Sequence, residues 1–271
     1  MKLDASCTLS YLIDEPTTVV AMLRPKSGES QFIQEEKFTI APQSQVVEYT
    51  DSFGNLCQRT VLQPGVVVLS VGVIAAVNDK IDTDLEAAYT PIEELPHDTL
   101  QFLIGSRYCQ SEFIVINDLA NEIAPISGSG YGRVLAIRDW IYQNVGYQYG
   151  VTNSTTTALD TIHQRQGVCR DFTHLAIALC RSLSIPARMV VGYALDLKYM
   201  DLHAWFEAFV GGRWYTFDAV QPQTTGGRIV IGYGRDAADV AFITQFGKAT
   251  LQVMEVQVRE IAEEASNGSK I

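Results

Sequence analysis

Basic side chains are scarce in this chain. Its 271 residues include 20 Lys and Arg against 31 Asp and Glu, a formal charge of −11 with the four histidines neutral. Polyanion binding draws most of its affinity from cationic side chains facing phosphates, and no basic run offsets the deficit, so nucleic acid is excluded as a partner class. Long apolar runs are missing too. The best window, Val66 to Val77, carries Ser70 and Gly72 and falls short of the ~20 apolar residues of a membrane-spanning helix. It reads as sheet core, and no membrane partner is expected. The start, Met1-Lys2-Leu3-Asp4-Ala5-Ser6-Cys7, lacks the roughly 7–15-residue apolar stretch of a secretory leader, which makes a cytoplasmic address the expectation. The five cysteines, Cys7, Cys57, Cys109, Cys169 and Cys180, are odd in number and far apart, with no C-x-x-C pair. Neither a disulfide framework nor a zinc site is indicated.

What is present suits a globular protein: 47% apolar and 19% charged residues, at a length fit for one large or two medium domains. The charge is uneven. Residues 1–100 hold 15 acidic and six basic side chains, the remainder 16 and 14, which favours two units with different surfaces. Val19 to Leu23, Gln31 to Ile40, Gln45 to Tyr49 and Leu56 to Leu62 are β-prone, separated by turn material such as Asp51-Ser52-Phe53-Gly54-Asn55. Residues 1–100 are therefore expected to form an all-β, sandwich-like domain. The character changes after Pro96. Ser111 is placed to cap a helix with Ile116, Leu119, Ala120 and Ile123 on one face, and a second helix carries Val134, Ile137, Ile141 and Val145. The loop Gly128-Ser129-Gly130-Tyr131-Gly132 lacks the spacing and Lys-Ser/Thr pair of a phosphate loop and reads as a flexible helix start. Helices are expected over about 157–165 and 169–183, separated by a sharp turn at Gly167, then antiparallel strands from Ala187. The fold class is α+β. Residues 101–260 form the second expected unit, with Leu251 to Val258 a last strand, and 261–271 a polar, disordered tail.

The chemistry concentrates at Gly167-Val168-Cys169-Arg170-Asp171-Phe172. Cys169 falls in the first turn of a helix, where unpaired N–H groups and the helix dipole favour an anion. Cys180, well inside the same helix, has no such advantage. A thiol nucleophile needs a base, and the base an orienting partner. His97, His163 and His174 read as surface or packing residues, whereas His203 starts the strand His203-Ala204-Trp205-Phe206-Glu207-Ala208-Phe209-Val210, followed by Gly211-Gly212 and Arg213-Trp214-Tyr215-Thr216-Phe217-Asp218. With the two glycines as a hairpin loop, Val210 pairs with Arg213 and Asp218 falls opposite Trp205. His203 and Asp218 are then diagonal neighbours on one face, roughly 7–8 Å apart along the backbone.

These segments, with Leu183-Ser184-Ile185-Pro186-Ala187-Arg188, resemble the motif blocks of the bacterial transglutaminase-like superfamily, whose members include candidate cysteine proteases. Ser106-Arg107-Tyr108-Cys109 and Gly234-Arg235-Asp236-Ala237-Ala238-Asp239-Val240 look like flanking blocks of the same subgroup, and Asp51 to Asn55 is similar to a turn in its N-terminal β region. The resemblance implies a papain-like core of helices on an antiparallel sheet, preceded by the β domain, with Cys169 as nucleophile, His203 as base and Asp218 as orienter. It implies amide or peptide cleavage through a thioacyl intermediate, with amine transfer (cross-linking) as the alternative. A non-catalytic binding or scaffold protein on the same fold is a further alternative, as is a metal site from Cys169, Asp171 and His174, which lacks a fourth ligand of normal spacing. The Cys169 N–H is a natural oxyanion donor, with Gln164, Gln166 and Tyr147 as candidates for a second. Trp205, Tyr193 and Arg188 are expected to wall the cleft, and Asp171 and Glu207 to pair with arginines. No cofactor or metal is expected, because Asp196 and Asp201 are too sparse for a calcium cage; the expected partner is a peptide or protein amide.

Overall fold

Period-2 burial dominates both ends of the chain. The computed structural model describes residues 1–28, 30–125, 128–198, 200–221 and 226–262. β1 (Lys2–Ile13) buries every second side chain, from Leu3 and Ala5 to Tyr11 and Ile13, and β6 (Gly65–Val77) does the same from Val67 to Val77. Such alternation is what a strand with one covered face requires. Between them lie β2 (Thr17–Ala21), β3 (Gln31–Ala41), β4 (Val46–Thr50) and β5 (Leu56–Leu62), close to the strands expected from the turn signals. Two short 3-10 turns, Ile92–Glu94 and His97–Phe102, lead to the helical part.

The helices are α1 (Ile114–Ile123), α2 (Gly130–Asn144), α3 (Ala158–Gln164) and α4 (Cys169–Ser182). Ser111 does not cap α1. Phe113 is the cap residue, without a side-chain bond, and Ser111 is buried one turn earlier. The glycine-rich segment is the first turn of α2, capped by Ser129, whose hydroxyl accepts the Gly132 N–H at 3.0 Å. Thr157 and Asp160 cap α3 reciprocally. The turn that ends α3 is at Arg165, in the left-handed region at φ 54°, rather than at Gly167.

α4 is the hub. Every residue from Asp171 to Arg181 is buried, and it packs on β9 (Ala187–Ala194) and β10 (His203–Val210). With β11 (Arg213–Phe217) and β12 (Arg228–Gly234) these form an antiparallel sheet in the order β11-β10-β9-β12. Phe206, Ala208 and Val210 turn toward the helical side and are fully buried, at roughly 1.5–3 kcal/mol for each large side chain. A polar knot fixes the loops at the back of α4. Arg181 donates to the carbonyls of Ile104, Ala187 and Arg235 and to the Ser106 hydroxyl. Asp236 accepts the Tyr108 N–H, and His174 Nε2 accepts that of Ala237. The two flanking sequence blocks thus meet on one helix.

The boundary expected near residue 260 is not where the strands divide. β13 (Ile243–Phe246) pairs with β2 and β14 (Ala249–Ile261) pairs with β1 along its whole length, so the N-terminal sheets run β14-β1-β6-β3 and β13-β2-β5-β4. The last strands return to the first, and one apolar core runs from Leu3 through α4 to Val258. The expected tail falls outside the described residues from 263 onward.

Candidate active site

A two-residue parallel ladder delivers Cys169. β7 (Gly146–Tyr147) pairs with β8 (Gln166–Gly167), setting Tyr147 opposite Gly167. A Cβ on Gly167 would stand 2.7 Å from Asp171 Cβ, so the chain approaches the helix start as closely as only glycine allows. Asp171 Oδ2 accepts the Val168 N–H at 2.9 Å and the Thr152 hydroxyl at 2.7 Å, while Oδ1 accepts from Arg170. Cys169 begins α4 and is the one partly exposed cysteine; the other four are buried. Burial pushes the Cys7, Cys109 and Cys180 thiols up to about 12. Tyr147 lies beside Cys169, and its hydroxyl pKa is raised by burial and by the nearby sulfur. Tyr147 in turn donates to the Tyr149 hydroxyl at 3.4 Å.

The hairpin falls in the expected register, Phe206 opposite Phe217 and Val210 opposite Arg213, with Gly211 and Gly212 both at positive φ. Asp218 thereby reaches His203: Nε2 lies 2.8 Å from Asp218 Oδ2, with both side chains almost wholly buried. Asp218 Oδ1 accepts the N–H groups of Val220 and Gln221, and Arg228 donates to Oδ2 at 3.0 Å. Burial pushes the Asp218 pKa up, but the His203 charge and hydrogen bond, Arg228 and the Gln221 N–H outweigh it and hold the carboxyl far below its usual range. Burial pulls the His203 pKa down. The Asp218 charge and hydrogen bond, with a contribution from the Cys169 sulfur, overcome this and raise it to about 10. His203 is thus hydrogen-bonded to Asp218 and near enough to Cys169 for the sulfur to act on its charge, and the Trp205 ring stacks against it at 6.0 Å.

Other sequence candidates go elsewhere. Gln164 and Gln166 point to solvent, leaving Tyr147 as the candidate beside the Cys169 N–H. Tyr193 is fully buried with its hydroxyl toward the Leu23 carbonyl, so it is core, not cleft wall. Arg188 pairs with Glu207 and lies between the Trp214 and Tyr233 rings at 4.2 and 4.1 Å. That face opens onto a cavity of about 770 Å³ against the N-terminal unit, away from Cys169. Asp171 and His174 turn from Cys169 toward the groups named above, and among the described residues no cluster of His, Cys, Asp or Glu is arranged to hold a metal ion. Nor is any described helix long and apolar enough to cross a membrane. Arg228 escaped the sequence reading because no local pattern marks it; its place follows from where β12 docks.

Residues 117–219 match the model of the transglutaminase-like superfamily. The crystal structure of a "Putative Cysteine Protease" from Cytophaga hutchinsonii superimposes with a TM-score of 0.90 and 38% identity, covering 98% of this chain and 92% of that one. The chain belongs to the transglutaminase-like superfamily. An uncharacterized protein of Mycobacterium leprae is 29% identical over 266 residues, 85% of this chain and 88% of that protein. An uncharacterized protein of Mycobacterium tuberculosis is 37% identical over 123 residues, 40% of this chain and 38% of that protein. The β sheets built from both ends of the sequence lie outside residues 117–219 but within the span shared with the Cytophaga structure.

Proposed function

We propose that this protein is a thiol hydrolase that cleaves an amide or peptide bond through Cys169, His203 and Asp218. The observation that carries the reading is a partly exposed thiol at a helix start together with a buried imidazole hydrogen-bonded to a buried carboxylate.

In this reading the Cys169 sulfur attacks the amide carbonyl as thiolate, forming a C–S bond as the carbonyl electron pair moves onto oxygen. The Cys169 N–H faces that oxygen from the helix start. Collapse expels the amine, which takes the proton from the His203 imidazolium. Water then attacks the thioester, giving one proton to His203 and releasing the acid and the thiolate. Asp218 keeps the ring oriented and compensates its charge throughout.

Turnover of a library of peptides and γ-glutamyl amides tests the reading, with wild type and Cys169→Ala side by side. Release of amine by wild type alone supports it. Turnover retained by Cys169→Ala, or alkylation by iodoacetamide no faster at Cys169 than at Cys180 near neutral pH, overturns it. Adding a labelled primary amine separates the chemistries: incorporation of the label in place of acid release identifies amine transfer.

A further inference from the structure

Asp218 carries a second cation. Its Oδ2 is shared between His203 Nε2 at 2.8 Å and Arg228 Nη2 at 3.0 Å, and Arg228 is itself largely buried. The guanidinium lies 5.7 Å from the centre of the Trp205 ring, whose plane stacks on His203. His203, Asp218, Arg228 and Trp205 thus close a four-membered circuit of side chains. Arg228 is the first residue of β12, which pairs with β9 on one side.

On its other side β12 is held by two side-chain amides of the N-terminal unit. Gln31 accepts the Val230 N–H at 2.6 Å and donates to the Val230 carbonyl at 2.9 Å. Asn55 accepts the Tyr233 N–H at 2.8 Å and donates to the Tyr233 carbonyl at 2.7 Å. Each amide saturates both main-chain groups of one residue, as a neighbouring strand would. Asn55 is fixed in turn by Asp51, whose carboxylate accepts from the Asn55 N–H and Nδ2 and from the Phe53 N–H. That is the Asp51 to Asn55 turn, which the proposed chemistry leaves without a purpose.

We propose that Arg228 is a positioning residue for the His203–Asp218 pair, and that Gln31 and Asn55 of the N-terminal unit hold it there by clamping β12. Arg228 anchors the carboxylate oxygen that faces His203 and divides its charge between two cations. The histidine then stays charged without becoming too weak an acid to protonate a departing amine. The groups acting on His203 are Asp218 from the end of β11, Cys169 from α4 and Asp201 from the segment before β10, and Arg228 from β12 reaches it through Asp218. Arg228 shares the Asp218 carboxylate with His203, so removing it leaves that charge to the imidazole alone and moves His203 toward higher pH. This proposal rests on the acyl-transfer reading.

The test uses the full chain and two readouts. In Arg228→Met, kcat is expected to fall about tenfold with KM little changed, and the alkaline limb of the kcat profile to move up, because the carboxylate is lost as a fixed point and the imidazolium is a weaker acid. Arg228→Lys, which keeps the charge, restores the limb. Independently of turnover, ring NMR in a Cys169→Ala background is expected to show His203 titrating higher when Arg228 is Met. Asn55→Ala and Gln31→Ala shift both readouts the same way by less. An unchanged pH profile and titration in Arg228→Met overturns the role of Arg228, and wild-type behaviour of both amide variants overturns the clamp. Turnover retained by Cys169→Ala would instead sink the acyl-transfer reading, and the NMR comparison would still report on Arg228.

Discussion

The Asp171 carboxylate binds the backbone N–H of Val168 at 2.9 Å, one residue before the thiol of Cys169. It closes the first turn of α4 from inside, and its other contacts, to Arg170 and Thr152, leave it no path to water. Asp171→Ala removes a fully buried acceptor and orphans donors on three residues. The expected loss of stability is about 2–4 kcal/mol, measured by urea unfolding. Alkylation of Cys169 is expected to slow in the folded variant, because the helix start is no longer held.

The two buried histidines act on stability in opposite senses. Burial lowers the His174 pKa to about 4 from an ordinary value of about 6.5. Between those values the unfolded chain binds a proton that the folded chain does not, so this contribution falls as the pH drops from about 6.5 to 4, by about 3 kcal/mol. His203, raised to about 10, contributes stability that is complete below its unfolded value of about 6.5 and is lost as the pH rises through 10. Unfolding free energies from pH 4 to 7 are expected to slope less in His174→Gln than in wild type. Parallel slopes would refute the assignment.

Gly192 in β9 lies against β12. A Cβ there would stand 2.1 Å from the Ile229 carbonyl oxygen and 3.0 Å from the Trp205 ring, and backbone cannot yield that distance without parting the strands. Gly192→Ala is expected to cost about 2–3 kcal/mol, read as a lowered Tm. Turnover is expected to fall more than stability alone explains, since Trp205 and β12 both flank the His203–Asp218 pair.

Ending the chain after residue 248 removes β14 and uncovers the long edge of β1. An unpaired edge of that length invites association with other chains. The shortened protein is expected to aggregate or fail to fold, by size-exclusion chromatography and circular dichroism. A folded, monomeric product would show that β1 tolerates an open edge.

Local signals account for the parts of the site that local chemistry decides. Gly211-Gly212 sets the hairpin register, and with it Asp218 against His203, because a two-residue loop with positive φ leaves one pairing that suits the strand twist. Thr157 and Asp160 mark α3 for the same kind of reason. Ser111 misled because a residue able to cap is not bound to do so where the chain turns into the core one step earlier. Arg228, Gln31 and Asn55 are not legible, since their partners lie 10, 199 and 178 positions away, and nothing in a strand's own pattern says which edge a distant amide will fill. The destination of β14 is hidden likewise: alternation predicts a strand, not its neighbour.

Lys2 pairs with Ile261, and this has a consequence in time. β1 and its outer neighbour β14 lie far apart in sequence, so the sheet that carries both closes only through long-range pairing, the slowest kind to form. Gln31 opens β3 at the other edge of that sheet. Protection of the β1 amides is thus expected to appear late in refolding, which pulse-labelled hydrogen exchange would register.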